Sequence, residues 1–182
     1  MRRLMLLRHA KSDWHSDTET DYDRPLNHRG QKAIRKIAMA MRTSGIQPRL
    51  TLSSPARRAY QTVTRLYDAL KIGHQTIHYL PDLYLADLNP LLQIVEQNQQ
   101  ADLMIVGHNP GLEELLVFLC GDGLPRTESG KLFPTASLAI ISLPEGRTAD
   151  IGGKAILDCL LRPKEIDSER TAQAVASQEV DI

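Results

Sequence analysis

At 182 residues the chain suits one domain with a sizeable core, because a domain near this length hides roughly 70% of its unfolded surface from water. Lysine plus arginine and aspartate plus glutamate both number 22, so no net basic field recommends nucleic acid or an anionic membrane, and any anion site must be local. Cysteines are two, Cys120 and Cys159, no secretory segment precedes the first apolar run, and no stretch approaches the ~18 apolar residues of a membrane span, so the expectation is a reduced cytoplasmic protein.

Leu4 to Leu7 form an apolar run that switches abruptly to Arg8-His9-Ala10-Lys11-Ser12. Such a run reads as a buried central strand, and ligands in open α/β sheets sit beyond the carboxyl ends of the strands. Residues 15–27 (HSDTETDYDRPLN) are acidic, hold a proline and show no apolar period, which predicts a long surface loop. A helix is expected from Asn27, its N-cap, to Ser44, with Ile34, Ile37, Ala38 and Met41 inward and Gly45 as its stop. Arg49 to Ser53 reads as a second strand. Pro55 then opens a helix carrying Ala59, Val63, Leu66 and Leu70 on one face, ending before Gly73.

Gln75 to Leu80 is a third strand candidate, and Asn89-Pro90 reads as an N-cap and first-turn proline for a helix through Ile94 and Val95. Asp102 to Val106 is the second strongly apolar strand. It runs into Gly107-His108-Asn109-Pro110-Gly111 and a helix with Leu112, Leu115, Leu116 and Leu119. Ser137 to Leu143 and Ala155 to Leu161 are late strands, antiparallel or at the sheet edge because the segment between them is too short for a helical crossover. The recurring strand-helix order predicts a three-layer α/β/α sandwich with a mixed, mostly parallel sheet. The domain is expected to occupy residues 1–163, followed by a polar tail, 164–182, forming a surface helix or remaining disordered.

Four residues follow the carboxyl ends of predicted strands: Arg8, His9, Arg58 and His108. If those strands are parallel neighbours, two fixed guanidinium charges and two imidazoles converge on a volume suited to a phosphoryl dianion. Guanidinium forks match phosphate oxygens and keep their charge, and the helix N-termini near Pro55 and Pro110 add backbone N–H groups. A neutral imidazole can attack phosphorus, and neighbouring arginines lower its pKa while stabilising the transferring oxygens. His15, His28, His74 and His78 lack such a setting and read as solvated. No HxxxH or CxxC spacing suggests a metal, no Walker or dinucleotide glycine pattern is present, and Cys120 lies on an apolar helix face, so it reads as core.

LLRHAKSDW resembles the signature of the histidine phosphatase superfamily, the phosphoglycerate mutase-like group, with Arg8-His9-Ala10 in place of its Arg-His-Gly triplet. The SixA-like phosphohistidine phosphatase branch is most similar, through DRPLNHRG (Asp23 to Gly30), SSPARRAYQT (Ser53 to Thr62), VGHNPGLEEL (Val106 to Leu115), FPTASLAI (Phe133 to Ile140) and RPK (Arg162 to Lys164). The resemblance implies a phosphoglycerate mutase-like fold, no cofactor, His9 as phosphorylated nucleophile, and Arg8, Arg58 and His108 completing the phosphate pocket. Arg58 rather than Arg57 matches the Arg-Ala-x-Gln-Thr pattern, and Arg57 is the neighbouring alternative for substrate binding. Ser12 and His15 fall where some members place further phosphate contacts; Ser12 is the chosen candidate.

Many members carry a glutamate general acid after the third strand, where this chain reads LPDLYLADLNP and offers only Asp82 or Asp87. An imidazole leaves phosphorus more easily than an alkoxide, so the missing acid favours phosphohistidine or activated phosphates over sugar phosphates. The expectation is a metal-independent phosphatase acting on a phosphorylated protein or a small phosphorylated substrate, with nucleic acid and membrane excluded and oligomeric state open. The alternatives are a phosphatase of a small phosphorylated metabolite and a non-catalytic phosphoprotein-binding module. A mutase would need the missing acid.

Overall fold

Leu4 to Leu7 are all buried in strand β1 (Arg2–Arg8), and successive residues of a strand face opposite ways. In the computed structural model, which describes residues 2–166, Met5 and Leu7 enter one core and Leu4 and Leu6 the other. A strand covered on both faces needs no polar alternation, which accounts for its continuous apolar run. Helices α1 (His28–Thr43) and α2 (Arg57–Leu70) cover one face of the sheet, and α3 (Leu88–Gln97) and α4 (Gly111–Cys120) cover the other.

The remaining strands are β2 (Leu50–Ser53), β3 (Ile77–Tyr79), β4 (Leu103–Gly107), β5 (Leu138–Leu143) and β6 (Ile156–Leu161), in the order β3-β2-β4-β1-β5-β6. The first four strands in that order are parallel, whereas β5 runs antiparallel to β1 and β6 antiparallel to β5. This is the three-layer sandwich with a mixed, mostly parallel sheet that the sequence predicts. The β5–β6 connection holds a 3-10 turn at Thr148–Asp150, and β6 forms one edge of the sheet, β3 the other.

Several boundaries differ from the sequence expectation for local reasons. Asn27 does cap α1, its side chain accepting the Gly30 amide at 2.9 Å. Pro55, however, precedes the N-cap Ala56 and lies outside α2, which ends before Gly73 as expected, with Lys71 at its C-cap in the left-handed conformation (φ 59°). Helix α3 begins two residues before Pro90, with Asp87 at its N-cap; a proline at the third helical position removes an N–H that the first turn leaves unpaired anyway. At the C-terminal boundary, Lys36 Nζ donates to the Pro163 and Ile166 carbonyls, and Ile166 is buried against the α1–α2 core. Residues 167–182 of the expected tail lie outside the described residues. No helix among the described residues is long and apolar enough to cross a membrane.

Gly111 opens α4 where the backbone of the 84–86 segment passes, and a Cβ there would overlap the Ala86 carbonyl. Gly111→Ala is therefore expected to destabilise the fold by about 1–3 kcal/mol, the usual range for overpacking. Gly123→Ala, facing open space, should cost much less. Urea unfolding of the two variants compares them directly, and equal losses would contradict the packing argument.

Candidate active site

Sheet register sets the centre of the site. Arg8 of β1 lies opposite Gly107 of β4, so the next residues, His9 and His108, emerge side by side with ring centroids 5.0 Å apart. On the far side of β4, Ser53 pairs with Val106, and the following Ser54 brings its Oγ within 2.8 Å of His108 Nε2. Arg58, in the first turn of α2, reaches back over both rings. Its Nε lies 3.3 Å from His9 Nε2 and its Nη2 3.3 Å from His108 Nδ1. His9, His108 and Arg58 are all buried, Arg58 being 2% exposed.

Hydrogen-bond partners assign the tautomers. His9 Nδ1 lies 2.8 Å from the Ala10 carbonyl, which can only accept, so Nδ1 carries the proton and Nε2 the lone pair. Arg58 donates to that lone pair. In His108, Nδ1 faces the Arg58 donor, so Nε2–H donates to Ser54. Burial above all pulls His9 from 6.5 down to about 3; the Ala10 bond opposes this, and His108, Arg58 and Arg8 add to it. Burial, then the Arg58 charge, likewise holds His108 at about 3. Both rings are neutral at working pH, and His9 Nε2 is an unprotonated nitrogen that accepts from a fixed cation.

Arg8 donates through Nη1 to the Phe133 carbonyl at 2.9 Å, and its Nε is buried with no partner among the described residues. Asn109 shares that carbonyl at 3.0 Å. Together with the buried Ser12 these groups line a cleft of about 670 Å³, which Lys11, Trp14, Arg24 and Lys131 also line. Two of the helix N-terminal amides expected at the site are already paired, Arg57 N–H with the Tyr22 carbonyl and Leu112 N–H with the His108 carbonyl.

The structure thus brings together Arg8, His9, Arg58, His108 and Ser12, but not Arg57. That side chain is exposed, donates to the Asp23 carbonyl at 3.4 Å and lies outside the cleft lining. His15, Asp82 and Asp87 are also exposed and do not line it. Among the described residues the carboxylate that lines the cleft is Asp21, from the loop after β1. Its Oδ2 lies 2.8 Å from Arg58 Nη2 and accepts from the Tyr84 hydroxyl at 2.9 Å, while Oδ1 lies 2.8 Å from Arg24 Nη2. Partial burial pulls the other way, yet the Tyr84 bond and the Arg58 and Arg24 charges hold Asp21 below the usual carboxylate range. Sequence reasoning missed this residue by treating its loop as a unit. The one signal was its spacing of three from Arg24 in the DYDRPLN block.

Other motif residues hold the frame. Gln61 Oε1 accepts the Leu26 amide at 2.8 Å, and Thr62 Oγ1 accepts the Ala10 amide at 2.9 Å. The Ala10 methyl, where the family triplet has glycine, is wholly buried in the α1–α2 core. Arg162 is structural: Nε donates to the Leu132 carbonyl at 3.0 Å and Nη2 to that of Pro125. Burial pushes the Cys120 thiol up to about 11, which suits a core residue better than a nucleophile.

Comparison with known proteins gives consistent relatives. Residues 4–91 match the histidine phosphatase superfamily (branch 1). A solved structure from Agrobacterium tumefaciens, assigned as the phosphohistidine phosphatase SixA, is 31% identical, with a TM-score of 0.75 over 89% of this chain and 99% of its own. The structure of the protein histidine phosphatase SixA complexed with tungstate shares the fold at 23% identity, with a TM-score of 0.70 over 89% of this chain and 97% of its own. An uncharacterised chloroplastic protein of Arabidopsis thaliana is 33% identical over 130 residues, 66% of this chain, which spans 60% of that protein's length.

Neutral buried imidazoles have a direct signature. Because the folded-state pKa of each ring is lowered to about 3, protonation is deferred until the pH falls far below 6.5. The His9 and His108 ring-nitrogen resonances should keep their neutral-form shifts from pH 8 to pH 5 in 15N NMR, and a transition near 6.5 for His9 would contradict the site described.

Proposed function

We propose that this chain, which belongs to the histidine phosphatase superfamily in its SixA-like branch, is a phosphatase whose substrate is phosphohistidine in a protein and that it works through a phosphohistidine of its own. The observation that carries this reading is the unprotonated Nε2 of a buried, neutral His9, held against Arg58 in a cleft that Arg8 and Arg58 also line.

Arg8 and Arg58 clamp the phosphoryl oxygens, with Arg8 Nε offering a donor that the protein leaves unused. As the phosphoryl group binds, the Arg58 Nε–H hydrogen bond passes from His9 Nε2 to a phosphoryl oxygen; the freed Nε2 attacks in line, a bond from Nε2 to phosphorus forms, and the bond from phosphorus to the substrate imidazole breaks. The departing imidazole takes its proton from solvent. Water then attacks the phosphorylated His9 and releases phosphate, restoring the free ring. His108, its Nε2–H committed to Ser54, presents Nδ1 to the transferring group as a proton acceptor, which suits it to a P–OH or to the attacking water. Ser12 lies on the cleft wall as a further oxygen contact.

Substrate choice follows from Asp21, the carboxylate that lines the cleft among the described residues. Asp21 is ionised and bonded to two arginines, so it is not a proton donor for a poor leaving group. General acid catalysis contributes about 10²- to 10⁴-fold where a leaving group needs it, and phosphohistidine needs it least. The two free cysteines fit the cytoplasmic location expected from the sequence.

His9→Ala should abolish both acid-labile labelling from a phosphohistidine peptide and phosphate release. Binding of the peptide by the wild-type protein without any release would replace the enzyme with a phosphoprotein-binding module. Arg58→Ala should cost about 10²- to 10³-fold in kcat/KM, as expected for losing a charged stabiliser of the transferring group, against little change for Arg57→Ala. Equal losses would remove the preference for Arg58. Turnover should favour the phosphohistidine peptide over a sugar phosphate by at least about 10²-fold and persist with chelator present.

A further inference from the structure

A guanidinium has five N–H bonds, which offer a side fork and an end fork to acceptors. In Arg58 the side fork, Nε–H with one Nη2–H, meets the ring nitrogens of His9 and His108. The end fork, Nη1–H with the second Nη2–H, grips Asp21, at 2.6 Å to its main-chain carbonyl and 2.8 Å to Oδ2. A phosphoryl group within reach of His9 Nε2 must meet the side fork. The end fork is turned away from that position.

Asp21 is itself held from several directions. Arg24 Nη2 lies 2.8 Å from Oδ1, and the Arg24 guanidinium stacks 3.4 Å over the Trp14 ring. The Tyr84 hydroxyl, from the segment between β3 and α3, donates to Oδ2 at 2.9 Å. A carboxylate standing in for substrate would lie between Arg58 and His9. This one lies behind the arginine, tying the loop after β1, the first turn of α2 and the 84–86 segment to a single orientation.

We propose that Asp21 is a positioning residue that anchors the end fork of Arg58, so that the side fork is held ready for the phosphoryl group. The proposal rests on the reading of Arg58 as a phosphate clamp. An untethered arginine swings among rotamers, and a displacement of about 1 Å at a reacting centre can cost about 10²-fold in rate. The anchor removes that freedom before substrate arrives.

The test compares wild type, Asp21→Ala, Asp21→Asn and Tyr84→Phe. Tungstate binding is followed by calorimetry, and His9 labelling from a phosphohistidine peptide under single-turnover conditions. Asp21→Ala should bind tungstate about tenfold more weakly and label about 10²-fold more slowly, with a lowered thermal midpoint because the buried Arg58 guanidinium loses its carboxylate partner. Asp21→Asn keeps an acceptor for Arg58 Nη2 and should recover to within about fivefold of wild type, and Tyr84→Phe should lose only a few-fold. Tighter tungstate binding by Asp21→Ala would make Asp21 a competitor of phosphate and overturn the proposal. So would an asparagine variant no better than alanine. If Asp21→Ala fails to fold, Asp21→Asn and Tyr84→Phe decide by the same order. If no variant labels His9 while tungstate affinities keep the expected order, the phosphohistidine reading has failed and the anchor stands.

Discussion

A buried guanidinium facing two neutral imidazoles is the interaction on which the site depends. Burying a charge is costly unless every fork finds a partner, and Arg58, 2% exposed, meets that condition with two ring nitrogens on one side and Asp21 on the other. The same contact decides the chemistry of His9. A donor aimed at Nε2, with the Ala10 carbonyl at Nδ1, leaves one tautomer that satisfies both nitrogens, and that tautomer carries its lone pair toward the cleft.

Helix α2 supplies more than the arginine. Arg58, Gln61 and Thr62 are spaced three and four apart and so share one face of the helix. From that face they reach His9, the Leu26 amide and the Ala10 amide. The loop after β1 is thereby pinned at both ends by the helix that delivers Arg58. Thr62 Oγ1 also donates to the Arg58 carbonyl at 2.6 Å, closing the frame within one turn. On the other side, Gly30 lets the first turn of α1 lie against the Lys11 carbonyl, where a Cβ would overlap it, and Asn27 Nδ2 donates to the Ser12 carbonyl. The DRPLNHRG block is thus a set of contacts that fixes the residues following β1.

What the sequence made legible were features with a local signature. The apolar runs Leu4 to Leu7 and Leu103 to Val106 announced the two central strands, and a polar switch at their ends announced His9 and His108. Helical periodicity gave the inward faces of α1, α2 and α4, because burial of a stripe is written residue by residue. Element ends were less legible. Pro55 and Asn89 are strong local signals whose roles shifted by one or two positions once the sheet fixed where each helix had to start. Asp21 was not legible as a site residue, since an acidic surface loop looks alike whether its carboxylates face water or an arginine. Its partners Arg58 and Tyr84 lie 37 and 63 residues away in the chain, and only the fold brings them together.

The electrostatics that suit the cleft to anions also act on the fold. An unfolded chain takes up protons on His9 and His108 as the pH falls through about 6.5, whereas the folded chain resists until about 3. In that window the unfolded state binds more protons, so stability falls as pH falls, and the loss accumulates over the whole interval. A phosphoryl dianion acts in the opposite sense. It brings negative charge against both imidazoles and both arginines, making a proton on either ring less unfavourable, and by linkage its own binding tightens as such a proton is taken up. In the proposed reaction the free site keeps His9 neutral for attack on phosphorus, while the occupied site lets His108 hold a proton taken from the attacking water. On that proposal one desolvated pair of rings serves two protonation demands without a carboxylic acid, provided the leaving group is one that solvent can protonate.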